Sequence, residues 1–305
     1  MTASITVKKI DGTLISEERI LSFRFRKNSY LPYTLLNAQL HAEYADFENS
    51  AEIFFYIDQK LVHHGLIDSL KVTCSGGGRI VSLVSRGFTS LLCQNQIEPG
   101  LKPSITFNQL MDGYYTLPYI THEDNSGQTG YIFVSGKTTM WDGIANLSYK
   151  FYGTYPYIRG TNCVRITPEG NPATFSYNDE ELLCMGFSMN GRRIMSHYHM
   201  ADMSGDYGQY EYENPEAAAY GIVRHKYSEL DKEFLYEPEN ALVFYDKLAS
   251  RSQKVFFCRY SGYNGEDLSD ILSFGSIHSE RIKGIEITGS AKGIFTELNV
   301  YHDKF

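Results

Sequence analysis

Positive charge is scarce in this chain. Lys and Arg number 28 against 36 Asp and Glu in 305 residues, a formal net charge of −8. A nucleic-acid-binding domain normally presents a basic face, so this balance argues against such a role and leaves room only for a local patch. The five cysteines, Cys74, Cys93, Cys163, Cys184 and Cys258, are an odd number at wide spacings with no CxxC pair. That excludes a disulfide framework and a zinc knuckle, and reduced thiols in a protein made in a cytoplasm are the simple account. No run approaches the roughly 18 apolar residues of a membrane span, and MTASITVKKIDG has no apolar signal core. The expectation is a soluble protein with no membrane contact. No G-x-S-x-G, H-E-x-x-H or Walker sequence is present, and no internal repeat or low-complexity tract.

What is abundant is tyrosine and phenylalanine, 24 and 18 residues against a single Trp. Tyrosine has a large apolar body and a polar tip, which suits half-buried strands first and interfaces second. Residues 5–10, Asp11-Gly12 and 13–15 spell a β-hairpin with a type I′ turn. Leu21, Phe23 and Phe25 alternate with Ser22, Arg24 and Arg26, and Leu36, Ala38 and Leu40 alternate with Asn37, Gln39 and His41. From 53 to 100 the pattern reads as a strand, a tight turn at Asp58-Gln59, a long strand and a turn at residues 74–79. A return strand at 80–85 then leads to a helix carrying Phe88, Leu91 and Leu92. Gly65, inside the long strand, marks a bulge or bend. Such a series of short-turned strands closes into a barrel or a compact sandwich.

After Gly100 helices appear. Thr106 is a candidate N-cap for a short helix, residues 131–134 a strand, and Trp141, Ile144, Ala145 and Tyr149 recur at helical spacing. Residues 157–159 and 164–168 form a hairpin across Gly160. Beyond 181, strands at 182–189 and 193–200 flank Asn190-Gly191, a favoured hairpin turn. Pro238 opens a helix over 239–253, a strand follows at 255–260, and 281–288 pairs with 295–301. The expected fold is mainly β with α+β elements. It divides into a first β-barrel unit at 1–99, completed by part of 181–230, a small α+β insert at 100–180 and a second β-rich unit at 181–305.

Candidate chemistry is thin. His197 and His199 share a strand face, with Asp202 or Asp206 as a third zinc ligand, although two polar residues on a solvated face is the plainer reading. His63 and His64 point to opposite faces of a regular strand. The Cys74-Ser75-Gly76-Gly77-Gly78-Arg79 loop lies between strands, so it lacks the helix N-terminus a phosphate cradle needs and reads as a turn. Asp179-Glu180-Glu181 and the pair Asp202 and Asp206 read as solvated loops before they read as acid/base carboxylates. Asp124-Asn125-Ser126-Gly127 begins like a calcium loop but has no closing Glu. No catalytic residue, cofactor site or metal site is assigned. Tyr207, Tyr210 and Tyr212 are the expected interface residues.

Motif order carries a resemblance. The segment ending S-R-G-F-T-S-L-L…N…E-P-G (85–100), the Thr106–Met111 helix with Leu117-Pro118-Tyr119, and Thr139-Met140-Trp141-Asp142-Gly143-Ile144 all take part. So does Gly221-Ile222-Val223-Arg224-His225-Lys226-Tyr227. Together they resemble the baseplate hub proteins of contractile phage tails and phage-tail-like particles, of the Mu-like tail protein and late-control kind. That resemblance implies two related β-barrel domains, one discontinuous, with a small α/β insert. It further implies a non-enzymatic virion protein made in the bacterial host cytoplasm, with no cofactor. Its copies would form a homotrimer in the tail baseplate. The implied partners are a tail tube or distal tail protein, a spike or tail fibre and a tape-measure protein, with no sequence-specific nucleic acid. The alternative is a tail-associated glycan- or peptidoglycan-acting enzyme, or a carbohydrate-binding adhesion module.

Overall fold

The computed structural model describes residues 1–42, 47–75 and 78–305. Alternation builds the first third: β1 (Ala3–Lys9), β2 (Leu14–Glu17), β3 (Ile20–Asn28), β4 (Leu35–His41), β5 (Ser50–Ile57), β6 (Lys60–Ser75) and β7 (Gly78–Gly87). Ile5, Val7, Phe23, Phe25, Leu36, Leu40, Ile53, Phe55, Val81 and Leu83 turn to one side and are buried in one core. Each such side chain contributes about 1.5–3 kcal/mol relative to exposure. The first hairpin forms, but not on a two-residue turn. Only Gly12 is left-handed (φ 87°), and the Asp11 carboxylate accepts the Thr13 N–H at 2.9 Å, so β1 and β2 are joined by a looser loop. The Gly76-Gly77 tip of the next hairpin lies outside the described residues, although β6 and β7 pair as far as Ser75 and Gly78.

The expected bulge at Gly65 is displaced. Register breaks flank it, between Phe55 and Tyr56 against β6 and between Ile67 and Ser69 against β7. Gly65 itself serves close approach: a Cβ there would lie 2.2 Å from the Arg86 carbonyl oxygen. The segment after β7 is a 3-10 helix, Phe88–Cys93. The insert follows, with β8 (Gly100–Ile105), α1 (Phe107–Gly113), β9 (Thr121–His122), β10 (Gly130–Val134), α2 (Met140–Tyr152), β11 (Tyr157–Arg159) and β12 (Cys163–Arg165). Thr106 and Thr139 each complete a capping box, with Gln109 and Asp142 respectively. Phe107, Leu110, Trp141, Ile144, Leu147, Ile158 and Val164 make a second core.

The remainder comprises β13 (Thr174–Tyr177), β14 (Leu182–Met189), β15 (His197–Met200), β16 (Tyr210–Glu213), α3 (Pro215–Ala219), β17 (His225–Ser228), α4 (Pro238–Ser250) and β18 (Lys254–Ser261). Then come β19 (Ile271–Phe274), β20 (Ile277–Arg281), β21 (Gly284–Ser290) and β22 (Gly293–Tyr301). The hairpin expected at Asn190-Gly191 does not form. β14 pairs with β18, and β15 belongs to a separate three-stranded sheet with β16 and β17. Arg224 holds the intervening chain as a loop by donating to the carbonyls of Gly191, Arg192 and Ile194 at 2.8–3.2 Å.

These elements are organised by one eleven-stranded sheet in the order β14-β18-β22-β21-β3-β4-β7-β6-β5-β1-β2. It curls into a half-barrel. The first seven strands are continued by β21, which pairs with β3 from Gly284 opposite Asn28 to Ser290 opposite Ser22. The chain is thus mainly β with α+β elements, as its periodicity indicated.

Candidate functional surface

The dominant surface is the solvent-facing side of this sheet, on which Arg24, Gln39, Ser69 and Lys71 are exposed. Strand alternation places Ser22 and Arg24 of β3, Asn37 and Gln39 of β4, Ser82 of β7 and Ser69 and Lys71 of β6 around one shallow groove there. Glu286 and Thr288 of β21 and Glu297 and Asn299 of β22 continue the same face. Part of its charge is paired internally. Arg24 meets Glu286 at 2.8 Å, Arg86 holds Asp68 through two bonds of 2.7 and 2.8 Å, and Arg259 lies across from Glu297. A face of mixed charge, with Glu286 and Glu297 among its cations, offers no surplus of positive charge for polyanions, on which phosphate binding depends.

His197 and His199 do share the exposed face of β15, as period two requires. His225, quoted above within the 221–227 motif but not weighed there as a ligand, joins them from parallel strand β17. The His197 and His225 rings stack at 4.3 Å and His199 stacks on Tyr227 at 4.4 Å. His199 Nδ1 faces Glu211 at 2.9 Å, and its Nε2 faces His225 Nδ1 at 3.0 Å, a contact that holds one proton between two imidazoles. Asp202 is not part of this ladder. Its Oδ1 accepts the backbone N–H groups of Ser204 and Asp206 at 2.7 and 3.1 Å, shaping a turn. Among the described residues no group of three or more His, Cys, Asp or Glu side chains converges as a metal site. Only the alternation His225, Tyr227 hinted at the third imidazole, and parallel pairing across 26 residues has no local signature.

The three tyrosines separate. Tyr207 is exposed, with its ring edge against Tyr227. Tyr210 and Tyr212 turn inward onto the cluster of Tyr198, Phe234 and Phe244, and Tyr212 also reaches Asp246. His63 and His64 are both buried. His63 lies between Thr34 Oγ1 (2.7 Å) and Ser85 Oγ (2.8 Å), while His64 stacks on Phe54 and contacts Glu52 at 3.3 Å. Burial pulls the Glu52 carboxyl upward, but its bonds from Lys8 and His64 outweigh this and hold it below its ordinary range. Glu181 accepts the Asn178 N–H in a turn, and Asp124 accepts from Asn108. A cleft of about 550 Å³ is lined by Tyr30, Tyr155, Arg281, Lys283 and Asp303. Its polar groups engage one another: Tyr30 donates to Asp303, Lys283 meets Asp303 at 3.4 Å, and Arg281 donates to the Ser269 carbonyl at 2.8 Å. These groups are committed to architecture.

No family profile matches the sequence, and comparison with curated proteins finds no match. Among solved structures, a tail protein from Neisseria meningitidis is similar over 99% of this chain and 97% of its own, with a TM-score of 0.72 and 14% identity. The 43 kDa tail protein of prophage MuSo2 from Shewanella oneidensis is similar over 98% of both chains, with a TM-score of 0.72 and 13% identity. An Escherichia coli component of the type VI secretion system, described as structurally similar to bacteriophage T4 tail proteins, matches at a TM-score of 0.52 and 9% identity. That similarity spans 93% of this chain and 74% of that one. At these identities the likeness is one of fold, and the fold is that of phage tail proteins.

Proposed function

We propose that this chain is a structural protein of a phage, prophage or phage-like tail: a baseplate hub whose copies form a trimeric ring. The ring joins the tail tube to the spike and receives the tape-measure protein. The observation that carries this reading is the main sheet, with one face over the core and the other turned to solvent, in a fold shared end to end with tail proteins. A ring of such sheets has a hydrated inner wall, and a net charge of −8 per copy lets DNA pass without holding it. In this reading residues 1–99 and 181–305 are the two sheet-bearing units and 100–180 the insert between them. The protein resides in the virion tail after synthesis in the host cytoplasm, and Tyr207 lies at a contact. Catalysis has no part in it.

The test is to induce the producing strain and purify its particles. The chain is expected in the tail fraction at a few copies per particle, and disruption of its gene is expected to leave tubes without baseplates, restored by complementation. Intact tails lacking the chain would refute the reading.

A further inference from the structure

The main sheet has two edges left open in an unusual way. Its β2 end is blunt: four residues, closed by Glu17 bonded to Arg19. The β14 end is different. Its 8 residues, Leu182–Met189, contain no charge and no proline, and nothing pairs with their outer side among the described residues. Met185 stands opposite buried Cys258 and Phe187 opposite Phe256, so the row Met185, Phe187, Met189 continues the core side of the sheet. Yet these three are 44%, 62% and 52% exposed. A core-facing apolar row left about half exposed, with only the Gly275 turn beside Met185, marks an interface.

A second open edge lies inside β6. Its first half pairs with β5 as far as Leu66 opposite Glu52, and residues 67–75 pair with β7 alone among the described residues. The register break around Asp68 is where β6 leaves β5, as a bulge that ends pairing does. Leu70 and Val72 lie opposite the core residues Leu83 and Val81, again on the core side, and Val72 is 42% exposed. The two open edges are close in length, 8 residues in β14 and residues 67–75 in β6. They bound a strip of eight strands, β14 to β6, each antiparallel to the next, so the end strands run in opposite directions.

We propose that β14 of one copy pairs antiparallel with residues 67–75 of β6 in a second copy, carrying the sheet across the subunit boundary. Met185, Phe187 and Met189 then cover Leu70 and Val72, and the polar face runs on unbroken. Because the two edges differ, the contact is head-to-tail and repeats until a ring closes. This rests on the multi-copy ring proposed above.

Thiol linkage tests it. Cys184 lies opposite Arg259, on the polar side of β14, and Ser69, Lys71 and Thr73 lie on the polar side of β6. In a Cys74→Ser background, Ser69→Cys, Lys71→Cys and Thr73→Cys are each treated with a mild oxidant or a short bis-maleimide. The expected result is covalent dimers and higher species, reversible by reductant after oxidation, at one or two of the three positions according to register. Val72→Cys, on the other face, should give at least ten-fold less. Met185→Lys with Phe187→Lys, two changes at exposed positions, should reduce the assembly to single chains with unchanged circular dichroism. Linkage at none of the three positions, or an assembly mass unaffected by the double Lys variant, overturns the pairing. If the chain is nevertheless present in purified tails, the tail role stands and only this edge contact is rejected.

Discussion

His63 shows how one residue couples this core to pH. It is fully buried between two hydroxyls, and burial pushes its pKa down to about 3, with the charge of neighbouring His64 adding to the effect. The unfolded chain titrates near 6.5, so on acidification it binds a proton the native state refuses. Stability is therefore complete above about pH 6.5 and falls as pH drops towards 3, by about 1.4 kcal/mol per pH unit. Between pH 7 and 5 the expected loss from His63 alone is about 2 kcal/mol by urea denaturation. His63→Gln should be less stable at pH 7 but lose much less on going to pH 5, and equal losses in the two proteins would remove His63 as the cause. Gly65 gives a steric counterpart. A methyl group 2.2 Å from the Arg86 carbonyl oxygen cannot be relieved by a side-chain rotation, so Gly65→Ala should cost about 3 kcal/mol or more. A thermal midpoint within a degree or two of the parent would contradict that geometry. The sequence marked both residues for attention, yet could say neither that His63 was enclosed nor which backbone approached Gly65.

Among elements, capping and periodicity were the most readable. Thr106 and Thr139 start their helices as the local pattern requires, since a cap involves residues only three apart. Thr139→Ala should destabilise by about 1 kcal/mol, read from the denaturation midpoint. The buried joint between β3, the loop after β11 and the loop before β19 was invisible. Lys27, 5% exposed, donates to Asp267 and to the Gly160 carbonyl at 2.7 Å, while Gly160 N–H donates to the other Asp267 oxygen at 2.7 Å. Arg159 beside it donates to Asp270 at 2.8 Å. Asp267→Ala leaves the Lys27 ammonium buried and unpaired, which should cost about 3–5 kcal/mol. Adding Lys27→Met should recover a substantial part, and a double variant no more stable than Asp267→Ala would show that the charge was not the source. Partners 133 and 240 residues apart leave no spacing to read. The Asn190-Gly191 turn failed for the same kind of reason. Its dipeptide favours a hairpin, but β14 meets a better apolar match in β18, and long-range pairing prevails over a local preference.

At the scale of the molecule, the arrangement of charge makes a negative prediction. With Arg24 and Arg86 each bonded to a carboxylate on the solvent-facing side and a net charge of −8, duplex DNA should not bind at about 0.15 M salt. Fluorescence anisotropy with a labelled duplex should show no saturation up to tens of micromolar protein. Submicromolar binding at that salt would contradict a free passage for DNA.

The mainly β character, the first seven strands, both capped helices and the closing β21–β22 pair were determined by the sequence alone. Each rests on side-chain alternation or on contacts a few residues apart. Motif order pointed to the tail-protein fold. Only the tertiary structure decided that β3 meets β21, that His225 lies against His199, and that, among the described residues, β14 and half of β6 stand open at either end of one strip. Those outcomes depend on which distant edges and faces find each other. Backbone hydrogen bonds are the same for every residue, so pairing between distant strands is selected by the packing of the whole chain.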